Sequence, residues 1–329
     1  MTETRPSAVG KPLDRAFALE AVRVTEAAAI AAFAQIGRGN EHDADQAAVE
    51  AMRAAFNTLP IDGTVVIGEG EGERDEAPML FIGEKLGQGG PAVDVALDPL
   101  EGTTLTAKAM ANALAVMAMA EPGTMLNAPT TYMDKIAIGP GFKEGLVDLD
   151  AEPGDNINAL AKAKGVTPRD ITVLVMDRPR HETLIAKIRK AGAKVKLITD
   201  GDMAGVIETT DPATSVDIYI GIGGAPEGVL AAAALRCVGG QMQGRLVFRN
   251  EDERKRAAKW GIADLTRKYG LLDMISGDVV FSATGVTDGA MLRGVHRIGN
   301  FITTESVVMR SSTGTVRWIK ARHRRDASV

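Results

Sequence analysis

The chain has 329 residues, of which 45% are hydrophobic and 25% charged, a composition typical of a globular protein rather than a disordered one. At about 150 residues per domain, this length predicts two domain-sized lobes whose core needs neither disulfides nor a structural metal for folding. The formal net charge of −5 and the aromatic content of 4% argue against nucleic-acid binding, which uses dense basic residues or stacking rings.

The first half of the chain predicts two helices followed by strands. The helices are predicted at 14–36 and 44–58. Strands are predicted at 63–67, 92–97 and 133–138. The second helix is predicted to begin behind Asp43 and Asp45, and an acidic, glycine-rich loop at 68–75 follows the first strand. The apolar run 112–120 suits either a strand or a buried helix, since its periodicity does not decide between them.

The turn-rich segment 150–156 predicts a boundary between two lobes, residues 1–155 and residues 156–329, of which the second has an α/β pattern. Beyond the boundary, a strand–helix–strand pattern at 171–176, 181–191 and 194–199 predicts a βαβ unit with parallel strands. A strand at 216–222 and a helix that starts at Pro226 follow. The end of the chain predicts short strands at 279–283, 294–301, 306–309 and 316–319, and a solvated tail at 322–329.

Cysteine and histidine usage limits the kinds of metal site. Cys237 is the single cysteine and lies in an apolar helical run, so we expect an inert buried thiol. The four histidines are scattered, so a bound metal would have oxygen ligands, which favours Mg²⁺ or Mn²⁺ over zinc. The polar residues 1–10 do not resemble a secretory signal, and the run 113–120 is shorter than a membrane span. We therefore expect a cytoplasmic protein with no membrane partner.

The most informative segment follows the predicted strand 92–97. The strand delivers Asp98 to its carboxyl end, Pro99 interrupts the ladder, and Glu101 comes three residues after Asp98. Gly102 then frees the backbone for a helix that starts at Thr103. Two carboxylates so close together favour a cation between them, and metal beside an anion cradle suits phosphoryl transfer. A simple turn with a helix cap would use the same residue types.

Two further acidic segments also follow strands. Glu69 lies directly after the strand 63–67, and Glu227 follows the strand 216–222 beside Pro226. Carboxylates at strand ends are where open sheets place their sites, although a solvated loop or favourable charge in a first helical turn is the alternative. Asp45 is either a further acid of this kind or only a helix-start residue.

Basic and polar residues end other strands. Arg178 and Arg180 are separated by the rigid Pro179, and two guanidinium groups so spaced suit a phosphate, or they are ordinary surface arginines. The segment 200–202, Asp-Gly-Asp, either holds sugar hydroxyls or makes a turn, and Tyr132 is ambiguous. Together these residues place acids and arginines at the carboxyl ends of several strands, which is the pattern of one shared cleft.

At these segments the sequence resembles the class II fructose-1,6-bisphosphatases of bacteria, within the lithium-sensitive, metal-dependent phosphatase superfamily. The resemblance extends from about residue 18 to about residue 310. The segments that carry it are 63–70, 75–80, 98–103, 132–135, 178–181, 200–202, 221–228 and 281–287. It implies an α/β fold, a layered α-β-α-β-α sandwich of the sugar phosphatase type with the active site between two lobes, and a homo-oligomer, either a dimer or a tetramer.

The resemblance also implies an enzyme of carbohydrate metabolism, in gluconeogenesis and glycerol metabolism. Such an enzyme uses Mn²⁺ or Mg²⁺ to remove the 1-phosphate of fructose 1,6-bisphosphate. The implied metal ligands are Asp45, Glu69, Asp98, Glu101 and Glu227. The implied substrate contacts are Glu101, Gly102, Thr103, Tyr132, Arg178, Pro179, Arg180, Asp200, Gly201, Asp202 and Gly224. The implied catalytic residues are Asp98, Glu101 and Thr103, of which Thr103 matches the threonine that orients the attacking water.

Two departures from the family pattern bear on these assignments. An extra Glu-Gly pair in residues 68–78 makes either Glu69 or Glu71 the ligand, and we favour Glu69 because the strand end determines its position. Asn40 and Glu41 stand where relatives often have Asp-Lys, so any help from a lysine there is missing.

Three alternative functions remain open from the sequence. Sedoheptulose 1,7-bisphosphate and an inositol monophosphate are other substrates for the same chemistry, and the arginine pair favours a bisphosphate. A non-catalytic regulator that binds a sugar phosphate is the third, and it would leave Asp45, Asp98 and Glu101 without a purpose.

Overall fold

The computed structural model of the chain describes residues 13–70 and 79–324. Within them the α-helices are α1 (Phe17–Phe33), α2 (Glu41–Phe56), α3 (Thr103–Ala107), α4 (Pro153–Lys164), α5 (Glu182–Lys190), α6 (Asp202–Glu208), α7 (Ala225–Val238), α8 (Glu251–Lys259) and α9 (Leu271–Met274). The strands are β1 (Asp62–Ile67), β2 (Lys85–Leu86), β3 (Ala92–Glu101), β4 (Leu114–Ala120), β5 (Tyr132–Ile138), β6 (Thr172–Met176), β7 (Lys194–Ile198), β8 (Ile218–Gly224), β9 (Gln241–Val247), β10 (Lys268–Gly270), β11 (Val279–Gly285), β12 (His296–Ile298), β13 (Phe301–Arg310) and β14 (Thr315–Arg324).

The strands form two mixed sheets. The first has the order β12-β13-β11-β4-β3-β1-β2, with β14 paired to β13, and the second has the order β10-β9-β5-β8-β6-β7. Strands β1 and β3 are parallel, as are β6 and both of its neighbours, whereas the other pairs are antiparallel. The α/β fold class that the sequence implied is therefore confirmed.

Three hydrophobic clusters hold the helices and the sheets together. Helices α1 and α2 pack on the outer face of the first sheet, α6 and α7 pack between the two sheets, and α4 and α5 cover the second sheet. Because alternate residues of a strand point to opposite faces, β3 places Val95 in the outer cluster and Ala96 in the middle one. The layers thus follow the order α-β-α-β-α.

Helix α7 is apolar on all sides because it lies between two sheets. Its residues 229–235 are at most 1% exposed, and four of the seven are alanine. Small side chains let both sheets approach the same helix closely, whereas a surface helix would present one polar face. The position of α7 matters for the site, since its first turn carries Glu227.

Most predicted elements are confirmed, including the parallel βαβ unit of β6, α5 and β7. The ambiguous run 112–120 is strand β4, and Cys237 is buried in α7 with a raised thiol pKa caused by burial. The sequence interpretation did not specify helix α8 or strand β9.

Several predicted boundaries were wrong. Helix α2 begins at Glu41 rather than at 44, because the Asn40 side chain accepts the Asp43 N–H and caps the helix earlier. Helix α7 begins one residue before Pro226. The predicted strand 294–301 is two strands joined by a turn. Strand β14 extends to Arg324, into the segment predicted as a solvated tail, because it pairs with β13 along ten residues.

The strands of each sheet come from both sides of the predicted boundary at residue 155. Strand β5 precedes that boundary and pairs within the second sheet, while β11–β14 follow it and pair within the first. The segment 150–156 includes the start of α4 at Pro153. The division into lobes at residue 155 stays a prediction.

No helix among the described residues is both long and apolar enough to cross a membrane.

Candidate active site

The acidic segments meet in one cavity where elements of both sheets end. The cavity has a volume of about 310 Å³. It is lined by Asp45, Gly68, Glu69, Leu97, Asp98, Leu100, Glu101, Gly102, Thr103, Thr130, Asp200, Pro226, Glu227 and Leu230. Glu69 and the Asp98–Glu101 segment come together because β1 and β3 are parallel neighbours and end at the same edge. Glu227 approaches from the first turn of α7.

The end of β3 departs from the sequence prediction, and the departure shapes the cavity. The strand continues through Pro99 to Glu101, although its register with β4 shifts between Asp98 and Glu101. Within the shift, the Leu100 N–H donates to Asp98 Oδ1 at 3.1 Å, and the Leu100 side chain is buried. The irregular backbone and the buried leucine hold both carboxylates at the cavity wall.

A glycine makes the next turn possible. Gly102 has φ of +89°, a left-handed conformation that favours glycine, and a Cβ there would press on Leu105. The chain turns at once into α3, so Thr103 becomes its first residue and lines the cavity. The helix that the sequence predicted at this position is confirmed.

Glu227 is held close to the backbone of the preceding strand. A Cβ at Gly224 would overlap the Glu227 carboxyl group, so only glycine leaves room for it. Within the described part of the chain, the buried Oε2 of Glu227 makes no hydrogen bond. A buried carboxylate oxygen without a donor is costly, which indicates a site that a ligand completes.

The arrangement of the acids fits a hard divalent cation. Asp98, Glu101 and Glu227 each offer one carboxylate oxygen, and the three oxygens lie within 4.8 Å of one another. Carboxylate oxygens are the ligands that Mg²⁺ and Mn²⁺ prefer. Together with the unpaired Glu227 oxygen, this oxygen-only donor set fits a divalent ion.

The acids destabilise one another's charged forms. Burial raises the pKa of Asp98 and that of Glu101 well above their usual ranges, and nearby carboxylates add to the effect. Burial likewise raises the pKa of Glu69 to about 8, with contributions from Asp45 and Glu227. The pKa of Asp45 is also raised by burial. A bound cation would reverse these shifts by favouring the ionised carboxylates.

The arginines lie at the ends of second-sheet strands. Arg178 follows β6 and lies 3.8 Å from Asp200. The Arg180 guanidinium donates to the Ile222 carbonyl, with Nη2 at 2.7 Å and Nε at 3.1 Å. It also stacks 4.9 Å from the centre of the Tyr132 ring. The structure therefore brings Tyr132 and Arg180 together, with Arg178 tied to the cavity through Asp200.

His181 holds the arginine segment against β8. This histidine is 1% exposed, its Nδ1 lies 2.8 Å from the Met176 carbonyl, and its Nε2 accepts the Ile222 N–H at 2.8 Å. These partners require the neutral tautomer with the proton on Nδ1. Burial lowers the pKa of His181, in agreement with that state.

The segment 200–202 divides into two environments. Asp200 lines the cavity. Gly201, with φ of +78°, caps α6, and a Cβ at Gly201 would lie 4.0 Å from Glu101 Oε1. The Asp202 side chain points into the protein, where it pairs with Lys135 and accepts a hydrogen bond from the Tyr219 hydroxyl. A direct contact of the Asp202 carboxylate with sugar hydroxyls stays a prediction.

The predicted site residues thus form two connected groups. Eight of them line the cavity: Asp45, Glu69, Asp98, Glu101, Gly102, Thr103, Asp200 and Glu227. The others lie beside it on the second sheet and adjoining turns: Tyr132, Arg178, Pro179, Arg180, Gly201, Asp202 and Gly224. Glu71, the alternative to Glu69, lies outside the described residues. Gly224 pairs with Tyr132 in the register of β8 and β5.

Two charged neighbours of the site were missed by the sequence interpretation. Lys135 lies in a strand of otherwise mostly apolar residues, which is an unusual place for a charge and was a usable signal. Arg249 follows β9 and stacks 4.8 Å from the Tyr132 ring, on which Arg180 also stacks. Arg249 also pairs with Glu253 at 2.5 Å. Its position after a strand matches that of Arg178 and Arg180.

Comparisons with known proteins agree with this geometry. Residues 15–323 match the family described as bacterial fructose-1,6-bisphosphatase, glpX-encoded. The chain is 47% identical over 324 residues to fructose-1,6-bisphosphatase 1 class 2 of Escherichia coli K12, covering 94% of this chain and 95% of that protein. The same identity and coverage hold for the class 2 fructose-1,6-bisphosphatase of Shigella flexneri.

Proposed function

Because the chain belongs to the glpX-encoded family of bacterial fructose-1,6-bisphosphatases, we propose that it hydrolyses the 1-phosphate of fructose 1,6-bisphosphate. The products are fructose 6-phosphate and inorganic phosphate. The family and the relatives named above support the reaction, and the cavity supports the chemistry.

One observation carries the proposal. Three carboxylate oxygens from Asp98, Glu101 and Glu227 converge within 4.8 Å in a cavity that Thr103 also lines. Metal-assisted phosphoryl transfer needs an oxygen-ligand site directly beside a residue that positions the nucleophile. A non-catalytic sugar-phosphate regulator would have no use for buried, mutually repelling acids.

Mn²⁺ or Mg²⁺ is the cofactor that the donor set favours, held by Asp98, Glu101 and Glu227 with Glu69 and Asp45 nearby. When bound, such a cation supplies Lewis-acid activation of water and neutralises charge on the phosphate oxygens. The five carboxylates would hold the cation, and with it the reacting phosphate, at the acidic end of the cavity.

Thr103 orients the nucleophile in this proposal. Its position at the start of α3, directly after the left-handed Gly102, makes it part of the cavity lining together with Glu101. The hydroxyl accepts a hydrogen bond from the attacking water and aligns the water for in-line attack on phosphorus. We expect Thr103→Val to lower kcat about a hundredfold with Mn²⁺ saturating. Turnover within a factor of two of the parent would exclude this role.

The second-sheet residues orient the far end of the substrate. Arg178 and Arg180 hold the 6-phosphate, and the half-buried Tyr132 adds a hydroxyl group beside them. The Ile222 carbonyl fixes the plane of the Arg180 guanidinium, so less conformational freedom is lost when the phosphate binds. In this proposal Asp200, Gly201 and Gly224 contact the sugar, since Asp200 lines the cavity and the two glycines adjoin Glu101 and Glu227.

A phosphate-release assay tests the proposed function. The chain is incubated with fructose 1,6-bisphosphate, sedoheptulose 1,7-bisphosphate or inositol 1-phosphate, each with Mn²⁺, with Mg²⁺ and with excess chelator. We expect release from fructose 1,6-bisphosphate with either metal and none with chelator. Release only from inositol 1-phosphate, or the same rate in chelator, would contradict the proposal.

The setting of the enzyme is part of the same proposal. We infer a cytoplasmic enzyme, since its single cysteine is free and buried, as suits a reducing compartment. We also infer, from the family resemblance, that the enzyme acts as a dimer or a tetramer. Size-exclusion chromatography with light scattering tests the oligomeric state, and elution as a monomer at micromolar concentration would contradict it.

A further inference from the structure

Lys135 is a buried charge next to the cavity that neither the sequence interpretation nor the proposed mechanism uses. It lies in β5 between β8 and β9, and its residue is 1% exposed. A lysine is almost never fully buried unless its ammonium group is paired. The contacts of that group therefore indicate why the protein keeps it.

The ammonium group of Lys135 holds two turns at once. Its Nζ lies 2.5 Å from Asp202 Oδ2 and donates to the Gly224 carbonyl at 2.9 Å. Asp202 begins α6 and Gly224 directly precedes α7. On its other side, Asp202 Oδ2 accepts a hydrogen bond from the Tyr219 hydroxyl at 3.0 Å.

Both turns deliver side chains to the cavity. The first turn carries Asp200, which lines the cavity two residues before Asp202. The second carries Glu227, three residues after Gly224, and Glu227 contributes an oxygen to the acidic cluster. The positions of an acid on each turn thus depend on groups that Lys135 touches.

Two neighbouring glycines leave the space that the Lys135 side chain occupies. A Cβ at Gly223 would overlap the Asp202 carboxylate and lie 3.0 Å from Lys135 Nζ, and a Cβ at Gly228 would lie 3.2 Å from Lys135 Cδ. The lysine therefore occupies a channel that two glycines keep open, with its charge directed at the two turns.

We propose that Lys135 is a positioning residue for the phosphatase reaction, because its buried ammonium group joins the Asp202 turn to the Gly224 turn and so fixes Asp200 and Glu227. The inference rests on the proposed function only for its kinetic readout. Its cation-binding readout needs no substrate and stands independently.

The experiment measures Mn²⁺ affinity without substrate, by the EPR signal of the free ion, together with kcat and KM for fructose 1,6-bisphosphate. We expect Lys135→Met to weaken Mn²⁺ binding about tenfold and to raise KM by a similar factor. A lysine that acted only through its charge would give the opposite sign, because removing a positive charge strengthens the attraction of Mn²⁺. Unchanged or tighter Mn²⁺ binding in a folded variant would overturn the proposal.

A matched control separates positioning from general stability. Tyr219→Phe removes the hydrogen bond on the other side of the same Asp202 oxygen and leaves the Lys135 contacts in place. We expect this variant to unfold at a lower temperature than the parent, with Mn²⁺ affinity and KM within a factor of two. If Tyr219→Phe weakened Mn²⁺ binding as much as Lys135→Met, any loosening of this region would do so, and the specific role of Lys135 would be refuted.

A double variant guards against misfolding. Lys135→Met leaves Asp202 buried without its counterion, whereas Lys135→Met with Asp202→Asn removes both charges. The contribution of Lys135 is then the ratio of the Mn²⁺ dissociation constant of the double variant to that of Asp202→Asn alone. Weaker Mn²⁺ binding in the double variant than in Asp202→Asn supports the link to the Gly224 carbonyl. Equal Mn²⁺ binding in these two variants overturns that link. If the parent protein did not turn over fructose 1,6-bisphosphate at all, that result would instead contradict the proposed function.

Discussion

The two halves of the cleft satisfy their charges in opposite ways. In the acidic half, no lysine, arginine or histidine of the described residues lies within 4.0 Å of the carboxylates of Asp98, Glu101 or Glu227. One oxygen of Glu227 also lacks a hydrogen bond within those residues. In the second-sheet half, Arg180 donates to a carbonyl and Asp202 pairs with a lysine. The first half needs a ligand for its charge balance, whereas in the second Asp202 has a counterion and hydrogen bonds fix Arg180 without neutralising its charge.

This difference separates two tasks that a phosphatase must perform. An unbalanced group of acids binds a cation strongly because binding relieves repulsion between the acids. Arginines that hydrogen bonds hold in place keep their positive charge in a fixed position, which suits the orientation of a substrate phosphate. We therefore expect changes in the acidic half to act on kcat and on the response to metal. Changes to the arginines of the second-sheet half should act on KM.

The largest expected effect comes from removing one acid. Asp98→Asn should lower kcat/KM roughly a thousandfold or more, because an amide is a much poorer ligand for a divalent ion. It should also reduce the rise in melting temperature that Mn²⁺ produces in the parent. The matched control is Asp94→Asn on the same strand, where the carboxylate accepts the Gly123 N–H at 2.6 Å. The control should keep kcat/KM within a factor of three, and an equal loss in both variants would contradict the assignment.

A smaller effect is expected for the arginine half. Arg180→Ala should raise KM for fructose 1,6-bisphosphate about tenfold and leave kcat within a factor of three, because the lost contact orients a phosphate that does not react. Arg245→Ala is a suitable control, since that guanidinium also donates to a backbone carbonyl, that of Thr266, at 3.0 Å. An unchanged KM for Arg180→Ala would remove this residue from the far-phosphate site.

In the metal-free protein, we expect the free energy of unfolding to fall as the pH rises, because of a raised pKa in the acidic half. The pKa of Glu69 is about 8, above the ordinary 4.5, so the folded state holds a proton that the unfolded state releases. This contribution is complete below pH 4.5 and is lost as the pH rises through 8, with a slope of about 1 kcal/mol per pH unit. Urea unfolding of chelated protein at pH 6, 7 and 8 measures it. Glu69→Gln should flatten the slope, and a parent whose stability rises over this range would contradict the prediction.

The smallest expected effect, opposite in sign, comes from His181. Burial lowers its pKa below 6.5, so the unfolded state binds a proton more readily than the folded state. The contribution is complete above pH 6.5 and is lost as the pH falls below that value. Relative to His181→Gln, the parent should lose stability between pH 7 and pH 5.5 by about 1 kcal/mol or less. An equal pH dependence in both proteins would show that His181 does not titrate there.

Much of the local structure could be predicted from the sequence because it depends on neighbouring residues. Glycine at 102 permits the left-handed turn before α3, and short runs of consecutive apolar, mostly β-branched residues mark β1 and β6. The acids at strand ends were identified for the same reason, since a strand and the turn after it are contiguous in the chain. The family resemblance added the ligand set, which spacing alone left open between a metal site and ordinary turns.

Only the tertiary structure decided which of these segments meet. Glu227 comes to Asp98 because α7 is packed between the two sheets, and no local pattern specifies that contact. Asp202 turns inward because Lys135, 67 positions earlier in the chain, supplies a buried partner. A segment whose sequence resembles a surface turn therefore has its second aspartate buried inside the protein. Short-range preferences set helices, strands and turns, whereas charge pairing and packing between distant segments determined the cleft.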